Sequence, residues 1–218
     1  MSFNANDLPR GGNGKQTEPL DAGSYPARVV GVAIVGEHIQ IYKGEEKPPK
    51  KLMYMFYELL DEFLKDEEGN ELLDKPRWLN ENFPFHRLEA EKAKSTARYL
   101  SLDPAKKYGG NFSKLLELPC MLTVVQDPGK DGRVYNNVDG VSSMRPKEAD
   151  KAPELVNPSF LFDFDAPTKE AWDRLPPWVQ EKAKQAIDFP GSRLDALINE
   201  GAVAGPVEAP VANDEKDW

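Results

Sequence analysis

The sequence predicts a mainly β domain of five strands and one principal helix, followed by an extension of short helices. Three observations carry that prediction. Between Ser24 and Ser143, runs rich in β-branched and aromatic residues recur, bounded by Gly, Pro, Asp and Asn. One long stretch inside that span, Glu89 to Leu102, changes to the spacing of a helical face. From Pro146 onward, prolines and acids divide the chain into short pieces of different texture.

Taken in order, Met1 to about Asp21 lacks periodicity, contains Gly11, Gly12 and Gly14, and reads as a mobile arm. Its run Gly11–Lys15 has neither the spacing of a phosphate loop nor a strand before it. Ser24 to Val35 is the first strand, and Gly31 inside it marks a bulge or sharp bend. His38 to Tyr42 continues or extends that strand. Lys43 to Lys51 (KGEEKPPKK) is charged and bears glycine and proline, so it reads as an irregular basic loop. The second strand runs from Leu52 to about Leu60 and opens with a large apolar and aromatic run, Leu52–Tyr57. An acidic connection follows, Asp61 to Asp74, with Gly69 and Asn70 at its tip. Arg77 to His86 is the third strand, its end placed at an edge or bulge by Pro84.

In the helical stretch, Leu88, Lys92, Ser95, Tyr99 and Leu102 share one face, and Asp103-Pro104 ends it. Asn111 to Glu117 is a short helical turn. Cys120 to Gln126 is the fourth strand, Asp127 to Asp131 (DPGKD) is turn chemistry, and Arg133 to Ser143 returns as the fifth. The order β-β-β-α-β-β is that of a five-stranded OB-fold barrel, which binds oligonucleotides across strands 2 and 3 and with its loops. Residues 22–145 are the expected barrel, behind an arm of residues 1–21.

Residues 146–200 are expected to pack on that barrel. Pro146, Pro153 and Pro158 space out an extended segment ending in Ser159–Asp165 (SFLFDFD). Asp165 reads as the N-cap of a helix over Thr168–Leu175, followed by helices over Pro177–Ile187 and Ser192–Asn199. Trp172, Leu175, Trp178, Val179 and Ile187 would form one apolar cluster. Residues 201–218 are an Ala/Val/Pro/Gly spacer leading to a flexible acidic tail that ends in Trp218.

With 218 residues, 39% apolar and 30% charged, the chain can bury one sizeable core. Its formal charge is −9, unevenly spread: residues 1–145 carry 20 basic and 22 acidic side chains, so the acid is concentrated behind them. A local basic groove is compatible with that balance, because salt screening makes the field a local matter. The lone cysteine, Cys120, excludes an intrachain disulfide and suits a reducing compartment. No apolar run approaches the ~20 residues of a membrane helix, and the N-terminus lacks a secretory h-region. A soluble, intracellular protein is expected.

No catalytic set is present. His38 and His86 lack metal-ligand spacing, no G-x-S-x-G occurs, and Cys120 reads as a core thiol. Asp163 and Asp165 read as a cap and a solvated acid rather than an ion site. No enzyme activity, cofactor or metal is expected. A nucleic-acid set is present: Tyr42, Lys43, Lys47, Lys50, Lys51, Tyr54, Tyr57, Arg77, Trp78, Arg133 and Tyr135 interleave cations and flat rings. Alternation limits which rings face out. Leu52, Tyr54 and Phe56 share one side of the second strand and Met53, Met55 and Tyr57 the other, so only one tyrosine can face a groove. In the third strand Trp78 falls with Asn80 and Asn82, while Leu79, Phe83 and Phe85 fall inside, which favours an exposed Trp78.

Gly23–Gly31 (GSYPARVVG), Tyr42–Lys51 (YKGEEKPPKK), Pro76–Leu79 (PRWL), Leu115–Val125 (LLELPCMLTVV), Val156–Asp165 (VNPSFLFDFD) and the acidic, aromatic-tipped end occur in an order that resembles the OB-fold single-stranded DNA-binding proteins of bacteriophages. The resemblance implies sequence-nonspecific binding of single-stranded DNA in phage replication or recombination, inside the host cytoplasm. It also implies contact with a DNA polymerase or helicase/primase through Asp214, Glu215, Asp217 and Trp218, and it is compatible with a homodimer. The near-neutral barrel departs from a basic groove, so affinity would rest on local loops and rings. A single-strand annealing or recombination mediator would use the same groove, whereas an acidic DNA mimic would bind a host enzyme and ignore oligo(dT).

Overall fold

Strands β1 (Gly23–Tyr42), β2 (Glu45–Lys65) and β3 (Glu71–Pro84) follow one another through tight turns. Helix α1 (Lys94–Leu102) and a 3-10 turn (Phe112–Leu115) lead to the hairpin of β4 (Pro119–Pro128) and β5 (Val134–Ser143). Behind them come α2 (Pro146–Ala149), β6 (Phe160–Asp163), α3 (Lys169–Arg174), α4 (Pro177–Lys184) and α5 (Arg193–Asn199). The computed structural model describes residues 18–129 and 132–199. The chain divides into two units, one of residues up to Ala33 with Met53–Leu161, the other of Ile34–Leu52 with the residues from Phe162 on. The C-terminal helices thus fall in the same unit as the β1–β2 hairpin end.

The molecule is mainly β, an antiparallel six-stranded sheet in the order β3-β2-β1-β4-β5, with β6 on β1. β3 and β5 are the two ends of that order, so no ladder closes the expected barrel among the described residues. A side chain joins these ends instead. A bulge between Thr123 and Val124 pairs Thr123 with Gly140 and Val124 with Val138, leaving Asp139 outside the ladder. Arg98 of α1 donates to the Asp139 carbonyl (2.9 Å) and to both oxygens of Glu81 on β3 (2.8 and 3.0 Å). Tyr57 of β2 donates to the same buried carboxylate at 2.8 Å, and Lys94 reaches it from the rim. Cys120, Leu122, Tyr57, Tyr99 and Leu115 fill the core beneath.

Local chemistry adjusts several expected boundaries. Lys43–Lys51 is no loop: Lys43 (φ 53°) and Gly44 (φ 80°) form a two-residue turn, and β2 begins at Glu45. Paired positive φ values suit the right-handed twist of a hairpin, and Pro48 and Pro49 are compatible with extended backbone. The acidic connection shrinks to residues 66–70, because Asp66 accepts from the backbone N–H of Glu68 and Asn70 (2.9 Å each) and from the Asn70 amide. At the N-terminal side, buried Leu20 exchanges hydrogen bonds with Asn136, so the arm is anchored by residue 20.

In the first unit, residues 152–160 form a strap over the sheet. Buried Arg28 donates to the carbonyls of Pro153 (2.6 Å), Ala152 (3.0 Å) and Glu117 (2.7 Å). A Cβ at Gly31 would lie 2.2 Å from the Phe160 ring, so glycine is what lets that ring seat on β1. In the second unit, Ile187 and Phe164 donate to the carbonyls of Glu37 and Ile34 on β1, and Asp188 accepts from Glu37 N–H. Trp172, Leu175 and Val179 are buried together with Phe162, whereas Trp178 and Ile187 of the expected cluster are exposed. Thr168 caps α3, while Asp165 pairs with Lys51.

Candidate nucleic-acid interface

The outward row of β3 is Trp78, Asn80 and Asn82; Leu79, Glu81 and Phe83 point to the core. β2 beside it departs from simple alternation, since every residue from Leu52 to Leu59 is buried. Both of its faces are covered. Tyr57 and Met55 belong to the core side, and the strap covers the side of Phe56 and Glu58. Phe160 packs against Phe56 (centroids 5.2 Å apart) and lies nearly parallel to Trp78 (6.1 Å, 17°). Glu58, 1% exposed, accepts from Trp78 Nε1 (3.0 Å), the N–H of Val156 (2.6 Å) and Asn157 (3.2 Å), and the Asn157 amide (2.7 Å).

Trp78 is therefore fixed by one ring contact and one hydrogen bond, and it is partly accessible. It borders an open cleft of about 450 Å³ with Arg77, Lys75, Asp74, Pro76, Leu64 and Asn157. Arg77 donates to the carbonyl of Glu18 at 2.9 Å, and partial burial draws its pKa down from the ordinary arginine value. A flat ring, an apolar wall and two cations meet here, with one carboxylate among them.

A second cleft of about 370 Å³ lies where β3 comes near the β4–β5 turn. It is lined by Asn80, Tyr135, Asn137, Asn136, Asp127, Pro128 and Gly129. Tyr135 is 44% exposed and Arg133, just before β5, is exposed as well. Asn136 is committed to Leu20, and Asn137 donates to Asp127 at 2.7 Å.

The structure distributes the expected residues unevenly. Arg77 and Trp78 share one cleft, and Tyr135 lines the other. Lys43, Lys47, Lys50 and Lys51 belong to the second unit, on the turn and the exposed start of β2. Lys47 pairs with Glu45 at 2.5 Å, and Lys51 with Asp165, whose carboxylate holds the ammonium above its usual pKa. Tyr42 ends β1, its side chain outside those described. Tyr54 and Tyr57 offer no open ring face. Burial raises the pKa of both, and Tyr57 also faces the Glu81 carboxylate. Asp214, Glu215, Asp217 and Trp218 lie outside the described residues.

Elsewhere, Asp163 accepts from the Asp165 N–H, and no cluster of potential metal ligands occurs among the described residues. His38 is buried and bonded to the Val35 carbonyl; desolvation lowers its pKa, Lys182 adds to that effect, and Asp188 opposes it. No described helix is long and apolar enough to cross a membrane. Sequence reasoning missed Glu58, Glu81 and Arg98. Glu58 carried a signal, as the one acid closing a run of apolar and aromatic residues. Glu81 carried another, falling in register with Leu79 and Phe83 on the inward side. No protein-family model, curated protein or solved structure matches the chain.

Proposed function

We propose that the chain is a sequence-nonspecific single-stranded DNA-binding protein, built on an OB-type strand order and acting in phage DNA replication or recombination. The observation that carries the reading is the Trp78 cleft, where an accessible indole, an apolar wall and the cations Lys75 and Arg77 adjoin on β3. Bases supply a π-face to such a ring whatever their identity, and phosphates supply the charge the cations need. The strand order supports the same reading. An OB barrel opened between strands 3 and 5 reads β3-β2-β1-β4-β5, with its helix between strands 3 and 4. The second cleft, with Tyr135, extends the surface along β3. In this reading the acidic end, Asp214 to Trp218, recruits a polymerase or helicase/primase.

Competition binding tests the proposal. Labelled single-stranded oligo(dT) should be retained against an excess of duplex of the same length. Equal displacement by duplex contradicts single-strand preference, and an acidic DNA mimic would leave the probe unbound.

A further inference from the structure

Glu58 poses a question that stability alone does not answer. It is the one acid in the buried run Leu52–Leu59, and its donors are neutral N–H groups: the Trp78 indole, the Val156 and Asn157 backbone, and the Asn157 amide. A buried carboxylate without a charge partner is costly even when hydrogen-bonded. An apolar residue would fill the same strand position without that cost. What Glu58 does that an apolar residue could not is fix three things in one place: the indole plane, the backbone of the strap, and the Asn157 side chain. All three border the same cleft or lead into it.

We infer that Glu58 is a positioning residue that builds a single-nucleotide subsite from Trp78 and the strap. In this site an unstacked base lies on the accessible part of the indole, against Leu64 and Pro76. The attached phosphate meets Lys75 and Arg77, and Asn157 forms the rim contributed by the strap. Asp74, also on the lining, keeps the cleft from being a simple anion trap and favours a ligand with an uncharged ring beside its phosphate. Phe160 lies nearly parallel to the indole at 6.1 Å and Glu58 accepts from its Nε1–H, so two contacts hold the ring before any base arrives. Such preorganisation lowers the ordering cost of binding. The inference rests on the single-stranded DNA reading and narrows it to one place.

The test uses the full chain and oligo(dT) of about 16 nucleotides with one 5-iodouracil, which photocrosslinks to stacked aromatic side chains. Binding is followed by anisotropy and the attachment site by peptide mapping. The expected result is attachment at Trp78. Trp78→Ala should weaken binding about 5- to 150-fold, the range of one lost base stack. Lys75→Ala should reduce the slope of log K against log salt by about 0.7, one phosphate contact on a single strand. Glu58→Gln and Asn157→Ala should lower the yield of attachment at Trp78 while the oligonucleotide remains bound. Should Glu58→Gln fail to fold by circular dichroism, Asn157→Ala carries the comparison, because Asn157 is only half-buried. Saturable binding with attachment elsewhere, or unchanged attachment in both strap variants, overturns the subsite and leaves the DNA reading standing. Absence of any binding by the wild-type chain overturns both.

Discussion

Arg98 ties together chain segments that the backbone ladder leaves apart, reaching Glu81 on β3 and the freed carbonyl of Asp139 on β5. Removing one partner of a buried pair leaves the other charged and desolvated, at a cost of about 3–5 kcal/mol. Arg98→Met should fall at the low end, about 3 kcal/mol, because Lys94 still reaches Glu81. Urea denaturation measures it, and a loss below about 1 kcal/mol would mean the contact does not hold the two edges. Cys120 gives a second test. Burial pushes its thiol up to about 12, so iodoacetamide at pH ~8 should label the denatured chain and leave the native one intact. Stoichiometric native labelling would contradict a sealed core around β4. At this scale the sequence was informative where one face of a strand decides the outcome. The outward placement of Trp78 followed from its register with Asn80 and Asn82. The burial of Tyr54 did not follow, because alternation assumes one open face and β2 is buried on both from Leu52 to Leu59.

Among the elements, the strap has the largest consequence. Strand positions could be read from residue type and bounding turns, as could the helix after β3 and the extended run that ends in Phe160. The path of that run could not, because its anchors are single side chains far away in sequence: Arg28, Gly31 and Glu58. Lys43–Lys51 was unreadable as strand for a different reason. Charge and proline mask an extended segment whose register is set by the two positive φ values at Lys43 and Gly44. The strap makes a definite prediction. Phe160 is 4% exposed and seated between Gly31, Phe56 and Trp78. Phe160→Ala should therefore cost about 3–5 kcal/mol in thermal or urea unfolding, the range for a buried aromatic truncated to alanine. A cost near zero would show that the strap is held by its hydrogen bonds alone.

For the whole molecule, charge and architecture combine into one expectation. The chain is acidic at −9, yet its first 145 residues are nearly balanced, and the cations found on β3 sit beside a ring rather than in a broad basic field. Binding should then depend on a few close contacts, with a salt response set by the number of phosphates engaged. The face of β3 that carries Trp78 and Asn80, each lining one of the two clefts, is the surface on which those contacts would lie. Titrating labelled oligo(dT) with the full chain by fluorescence anisotropy, first at low salt and then as salt rises, tests this most directly. The account predicts saturable binding at low salt whose log K falls linearly with log salt. A flat titration at low salt would contradict it.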